Sequence, residues 1–185
     1  MGRAILAGFM FLLLILSFIL GIVTPLDRGL AEDLALSVKN FVEENIAPRK
    51  NVVDLGIFIF SHNAIRALPM LIPLVGAIWG PIVLYITGIY SNAMMITSGI
   101  LGMEKLKIAI STLIIPSSLL EMISYSLLSS ESIALFRYLR GKKDYYLSYT
   151  IAIAIVGISI LLLAGMVEAL EIRRALSTLP TTYFP

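Results

Sequence analysis

The 185-residue sequence has no cysteine, no glutamine and a single histidine, and only 14% of its residues are charged. Without cysteine there can be no disulfide framework, thiolate metal site or cysteine nucleophile. One histidine cannot build an HExxH-type zinc site, so no metal is expected. No Walker A or GxGxxG pattern occurs, so no nucleotide or other cofactor site is recognisable. The formal net charge is +2, with basic residues scattered between apolar blocks, which argues against nucleic acid as a partner. The want of Cys and Gln matches the depletion of thermolabile side chains in thermophile proteins; chance in so apolar a chain accounts for it nearly as well.

What the sequence has is apolar surface: 58% of residues are hydrophobic, and the mean hydropathy is +0.94. Soluble domains carry roughly 25% charge. A chain this short cannot hide so much apolar surface in one aqueous core, and lipid is the solvent that removes the problem. A span of ~30 Å needs about 20 residues at ~1.5 Å per residue. Four apolar territories meet this, at residues 4–23, 52–102, 108–136 and 146–170. The first is too long for the apolar region of a signal peptide and lacks a small-x-small cleavage site, so it reads as a retained helix. The second contains Pro69, Pro73 and Pro81 and must bend or break; it divides near Leu68–Leu71. The third is expected to kink at Pro116, with its end at residues 129–132 protruding from the bilayer. The sequence therefore predicts an all-α polytopic transmembrane helical bundle with proline-broken helices, one transmembrane domain over residues 1–185. Five spans are expected in the cell membrane, or six if the chain turns at residues 90–92.

Between the first two spans lies the only sizeable polar segment, at about residues 24–51. Leu26, Leu30, Leu34, Val38, Phe41 and Val42 recur there at helical spacing among Glu32, Asp33, Lys39, Glu43 and Glu44. The pattern predicts an amphipathic extramembrane helix ending before Pro48. It either packs across the mouth of the bundle or offers a docking surface to a partner or to lipid headgroups. Its mixed charge is unlike a basic lipid-binding helix. Charge does not orient the chain. Arg28, Lys39, Arg49, Lys50, Lys105, Lys107, Arg173 and Arg174 outnumber the bases on the other side, but the densest short basic loop, residues 137–143, belongs to that other side.

Ionisable groups within spans cost roughly 2.5–3.5 kcal/mol on insertion scales and need partners or water. His62, Asn63 and Arg66 share one helix face through i,i+3 and i,i+4 spacing. Glu121 follows Pro116 inside the third territory, Glu168 lies near the end of the fourth, and Asn92 lies near the end of the third span. The simplest expectation pairs Glu121 or Glu168 with Arg66 as a structural clamp, with Asn63 and His62 satisfying the remaining hydrogen bonds. A polar path for a proton, ion or small solute is the sharper alternative. Catalysis is the weakest: His62 as base for a serine nucleophile, with Ser98, Ser117 and Ser118 available but no complete GxSxG motif. Gly76 and Gly80 form a GxxxG pair, and Ser17 and Gly21 repeat the spacing. Such faces let helices approach closely, within the monomer or in a homo-oligomer.

Several of these residues carry a resemblance. Phe60-Ser61-His62-Asn63 resembles the F-x-x-N stretch of the stage II sporulation protein M family, also called DUF95. Pro116-Ser117-Ser118-Leu119-Leu120-Glu121 resembles its P-H-G-x-x-E motif, with Ser117 and Ser118 in place of His and Gly. Asn92-Ala93 is similar to its Asn-Gly, and Val167-Glu168-Ala169 to its closing I-E-A. The match runs from about residue 52 to residue 170. The resemblance implies a helical protein of about five spans and a non-catalytic organiser that recruits membrane or cell-envelope protein partners, as the sporulation member recruits cell-wall-degrading partners to a septal membrane. The expected function is accordingly a scaffold or complex subunit, not an enzyme. The alternatives are a small channel or transporter using the polar cluster and, less favoured, an intramembrane hydrolase.

Overall fold

A computed structural model of the chain describes residues 2–141 and 146–178; the basic residues Lys142 and Lys143 lie outside the described residues. These residues form α1 (Arg3–Val23), α2 (Arg28–Phe41), α3 (Val52–Ala67), α4 (Val75–Thr97), α5 (Met103–Leu113), α6 (Pro116–Leu139) and α7 (Leu147–Thr178). No strand occurs among them. Three helices are long and apolar enough to cross a membrane: α1, α6 and α7. At 16 residues, α3 reaches only about 24 Å.

The amphipathic segment forms as its pattern requires. Asp27 caps α2 by accepting from Leu30 N at 2.9 Å, and the helix widens into a π-turn, Val42–Ile46, before Pro48. It lies across α4, burying Ala31.

The prolines act in three ways. Pro69 sits in a 3-10 turn, Leu68–Leu71, which with Pro73 separates α3 from α4 where the sequence divides. Pro81 is carried inside α4. Pro116 corrects the expectation of a kink: it is a break. The residue before a proline is pushed out of the helical region, and Ile115 is extended (φ −62°, ψ 136°), so Pro116 opens a new helix. Residues 108–113 thereby belong to the short helix α5. The turn at residues 90–92 that a sixth span would need does not occur, because α4 runs unbroken through them.

The directions of the helices follow from their contacts. Leu14 of α1 meets Gly80 of α4, and seven residues on Gly21 meets Gly88, so α1 and α4 run parallel. Ser117 on α6 bonds Glu171 on α7, and Ser124 bonds the Gly157 carbonyl at 2.7 Å, so α6 and α7 are antiparallel. One face of the bundle therefore carries Arg3 and the end of α6; the opposite face carries Thr24, α5 and Pro116. α6 sits centrally against α1, α4 and α7, while α3 packs on α7. Leu14, Phe18, Leu84, Tyr125, Leu128 and Leu161 make up much of the core between them.

The glycines serve packing within this chain. A Cβ at Gly21 or Gly88 would strike the backbone of the facing helix, and one at Gly76 would strike the Met70 carbonyl. Gly80 admits Ser129 and Leu14. The GxxxG pair thus seats the 3-10 turn and α6 against α4.

Candidate functional site

Polar residues at depth fall into two groups. The first clamps helices together. Arg3 on α1 ion-pairs with Glu131 on α6, and its guanidinium also donates to the Thr150 hydroxyl at 3.3 Å and the Tyr146 carbonyl at 3.1 Å. Glu131 is 1% exposed, and Ser129, Ser130 and Ser132 are buried beside it. Residues 129–132 are packed among helices: a run of small serines lets α1, α4 and the turn before α4 close around α6. Asn92 belongs to a second clamp. Its amide donates to the Thr24 carbonyl and accepts from the Lys105 ammonium, both at 2.7 Å, joining the ends of α1 and α4 to α5.

The second group is the one that spacing placed on α3, α6 and α7. Asn63 is buried in α3. Glu121 lies one turn before Tyr125 on α6, within electrostatic reach of Arg66 and Glu168. The Tyr125 hydroxyl faces the Glu121 carboxylate without reaching standard hydrogen-bond geometry. The expected Arg66 clamp is corrected: among the described residues, neither carboxylate comes within ion-pair distance of Arg66. Arg66 is exposed on the outer end of α3, whereas Glu121 sits inward beside Tyr125. The Arg66 carbonyl accepts from the Trp79 indole N–H at 2.9 Å.

His62 belongs to an aromatic trio. Its ring lies 5.1 Å from that of Phe41 and 6.2 Å from that of Phe58, with Arg49 stacked 4.0 Å over Phe58. No serine hydroxyl hydrogen-bonds His62 among the described residues. Ser61 donates back to the Ile57 carbonyl, and Ser117 to Glu171. The trio holds the end of α2 over α3.

Between α2, α3 and α4 lies a groove of about 610 Å³. Its walls are mostly apolar, from Phe58, Ile59, Ile82 and Ile86, and His62, Arg66 and Glu168 reach its lining. The structure thus brings His62, Arg66 and Glu168 to one cavity, sets Glu121 behind it, and separates Asn92 by assigning it to the α5 clamp. No cluster of three or more metal-ligating side chains occurs among the described residues.

The sequence reading missed Arg3, Glu131, Lys105 and Glu171 as interhelical partners. The available cue was the spacing of small residues along α6, which marks a face that another backbone approaches. Comparison with protein-family models, curated proteins and solved structures returns no match for this chain.

Proposed function

We propose that this chain is a non-catalytic, multi-pass subunit of the cell membrane that organises membrane or cell-envelope protein partners. The supporting observation is how its polar groups are used. Arg3–Glu131, Asn92–Lys105 and Ser117–Glu171 tie helix to helix. The groove between α2, α3 and α4 and the charged outer face of α2 stay open. A bundle with a lateral apolar groove suits docking of an apolar helix from a partner, read by side chains at helical spacing. The motif resemblance to the stage II sporulation protein M family points the same way. In this reading five helices, α1, α3, α4, α6 and α7, are embedded in lipid, and α2 and α5 lie at one surface.

Photo-crosslinking in native membranes tests the proposal. A crosslinker at Ile82, on the groove wall, is expected to give one discrete protein adduct, and one at Leu12, on the outer face of α1, none. An adduct of twice the chain mass would identify a second copy as the partner. Lipid adducts alone from both positions would overturn the scaffold reading.

A second reading, a small-solute carrier, draws on His62, Arg66 and Glu168 at the groove lining. Flux in liposomes that is unchanged by Glu168→Gln would remove it.

A further inference from the structure

The turn between α3 and α4 is apolar throughout, unlike the charged connection between α6 and α7. Residues 67–78 contain no polar side chain, and no charge occurs from residue 67 to residue 103. By contrast, the connection at residues 140–146 carries Arg140, Lys142, Lys143 and Asp144. Both would meet water on the same face if α3 and α4 each crossed the bilayer fully.

Several backbone groups of the turn find partners within the protein. Pro69 and Pro73 have no N–H to satisfy. Ile72 N donates to the Pro69 carbonyl at 3.1 Å, Gly76 N to Ile72 at 3.2 Å and Ala77 N to Leu74 at 3.2 Å. Leu74 N donates to the Ser132 carbonyl of α6 at 3.4 Å, and the Arg66 carbonyl takes the Trp79 indole. Leu74 adopts φ 63°, which a residue other than glycine seldom does, and this reversal lets the chain turn within so few residues. Non-helical backbone is tolerated at membrane depth only where the protein satisfies it in this way.

Met70 anchors the turn in the core, while several of its other side chains face outward. Leu68 is 58% exposed and Ile72 51%. Water would penalise such a patch at a loop tip, whereas acyl chains would solvate it. The hairpin is also short. Residues 3–13 of α1 extend past Leu14 toward the Arg3 face, but only residues 75–79 of α4 extend past Gly80, which packs on Leu14. The start of α4 therefore stops about 9 Å short of the start of α1. α6 likewise continues about 10 Å beyond Ser132, where it holds the turn.

We infer that α3, the 3-10 turn and α4 form a re-entrant hairpin whose tip, at residues 68–75, is a lipid-contacting surface inside the bilayer. The chain then crosses the membrane three times, with α1, α6 and α7. The hairpin enters and leaves on the Thr24 face. All other connections keep the sides they have in a five-span arrangement, so only the tip distinguishes the two.

The absence of cysteine makes the experiment direct. Single variants Ile72→Cys, Leu74→Cys, Gly141→Cys, Arg28→Cys and Glu104→Cys are treated with a membrane-impermeant maleimide in sealed vesicles of each orientation. Positions 28 and 104 are expected to react from one side and 141 from the other. Positions 72 and 74 are expected to react from neither, and to react fully after SDS. An environment-sensitive fluorophore placed at Ile72→Cys is expected to be quenched at least twofold more by nitroxide on lipid acyl chains than by nitroxide on headgroups. Labelling of 72 or 74 from the Gly141 side would establish a full crossing and overturn the inference. Labelling from the Arg28 side, or stronger headgroup quenching, would overturn it as well.

Discussion

Arg3 and Glu131, 128 positions apart in the chain, form an ion pair that closes α1 onto α6 at the N-terminal face. Breaking one partner of a buried pair leaves an uncompensated charge at a cost of about 3–5 kcal/mol, whereas an apolar pair of similar volume is often neutral. Glu131→Ala should lower the midpoint of thermal unfolding in detergent by several degrees, and Arg3→Met with Glu131→Leu should restore most of it. A double variant no better than Glu131→Ala would show that the pair does more than balance charge.

The α1–α4 crossing makes Gly88 intolerant of any side chain. A Cβ there would overlap the Phe18 carbonyl of α1. Gly88→Val should cost at least the ~1–3 kcal/mol typical of overpacking, read as loss of folded protein or a lower melting temperature. Gly8 has nothing within 4 Å of its would-be Cβ. Gly8→Ala should be neutral or stabilising by up to ~1 kcal/mol through helix propensity. Equal effects at the two sites would refute the close approach.

Asn92 holds α5 by accepting from Lys105 while donating to the Thr24 carbonyl. Asn92→Leu should remove both bonds, at about 1–3 kcal/mol for the groups left unsatisfied. Amide exchange should then rise across α5, with α7 unaffected. Exchange rising evenly over the whole bundle would mean that Asn92 serves the core and not this clamp.

His62 packs between Phe41 and Phe58. His62→Phe should keep α2 docked, and His62→Ala should expose it, detected as faster proteolysis after Lys39. Faster cleavage in His62→Phe as well would show that a hydrogen bond of the imidazole, not its ring, secures α2.

Much of the fold was legible in the sequence because hydropathy and proline act locally. The residues of α1, the amphipathic segment and the division at Leu68–Leu71 follow from apolar length, helical spacing and missing N–H groups. Pro116 was visible as an interruption. Whether it kinks or ends a helix depends on Ile115, whose extended backbone lets α5 and α6 part. The partners of buried charges were not legible. Glu131 sits in a serine-rich run that reads as a polar end until α1 and α4 fold over it. Arg66 and Glu121 share the right neighbourhood by spacing, but contact between side chains depends on helix rotation, and neither period nor hydropathy fixes that to within an ångström or two.

The glycine contacts also set how the molecule can deform. Gly21 and Gly88 join α1 to α4 backbone to backbone, and Gly56 and Gly165 do the same for α3 and α7. The groove therefore lies on the seam between two stiff plates, with α6 wedged behind them and α2 as a strap across the front. α2 bridges both plates, packing on α4 of one and stacking its Phe41 ring on His62 and Phe58 of the other, so the seam cannot widen without loosening one of these contacts.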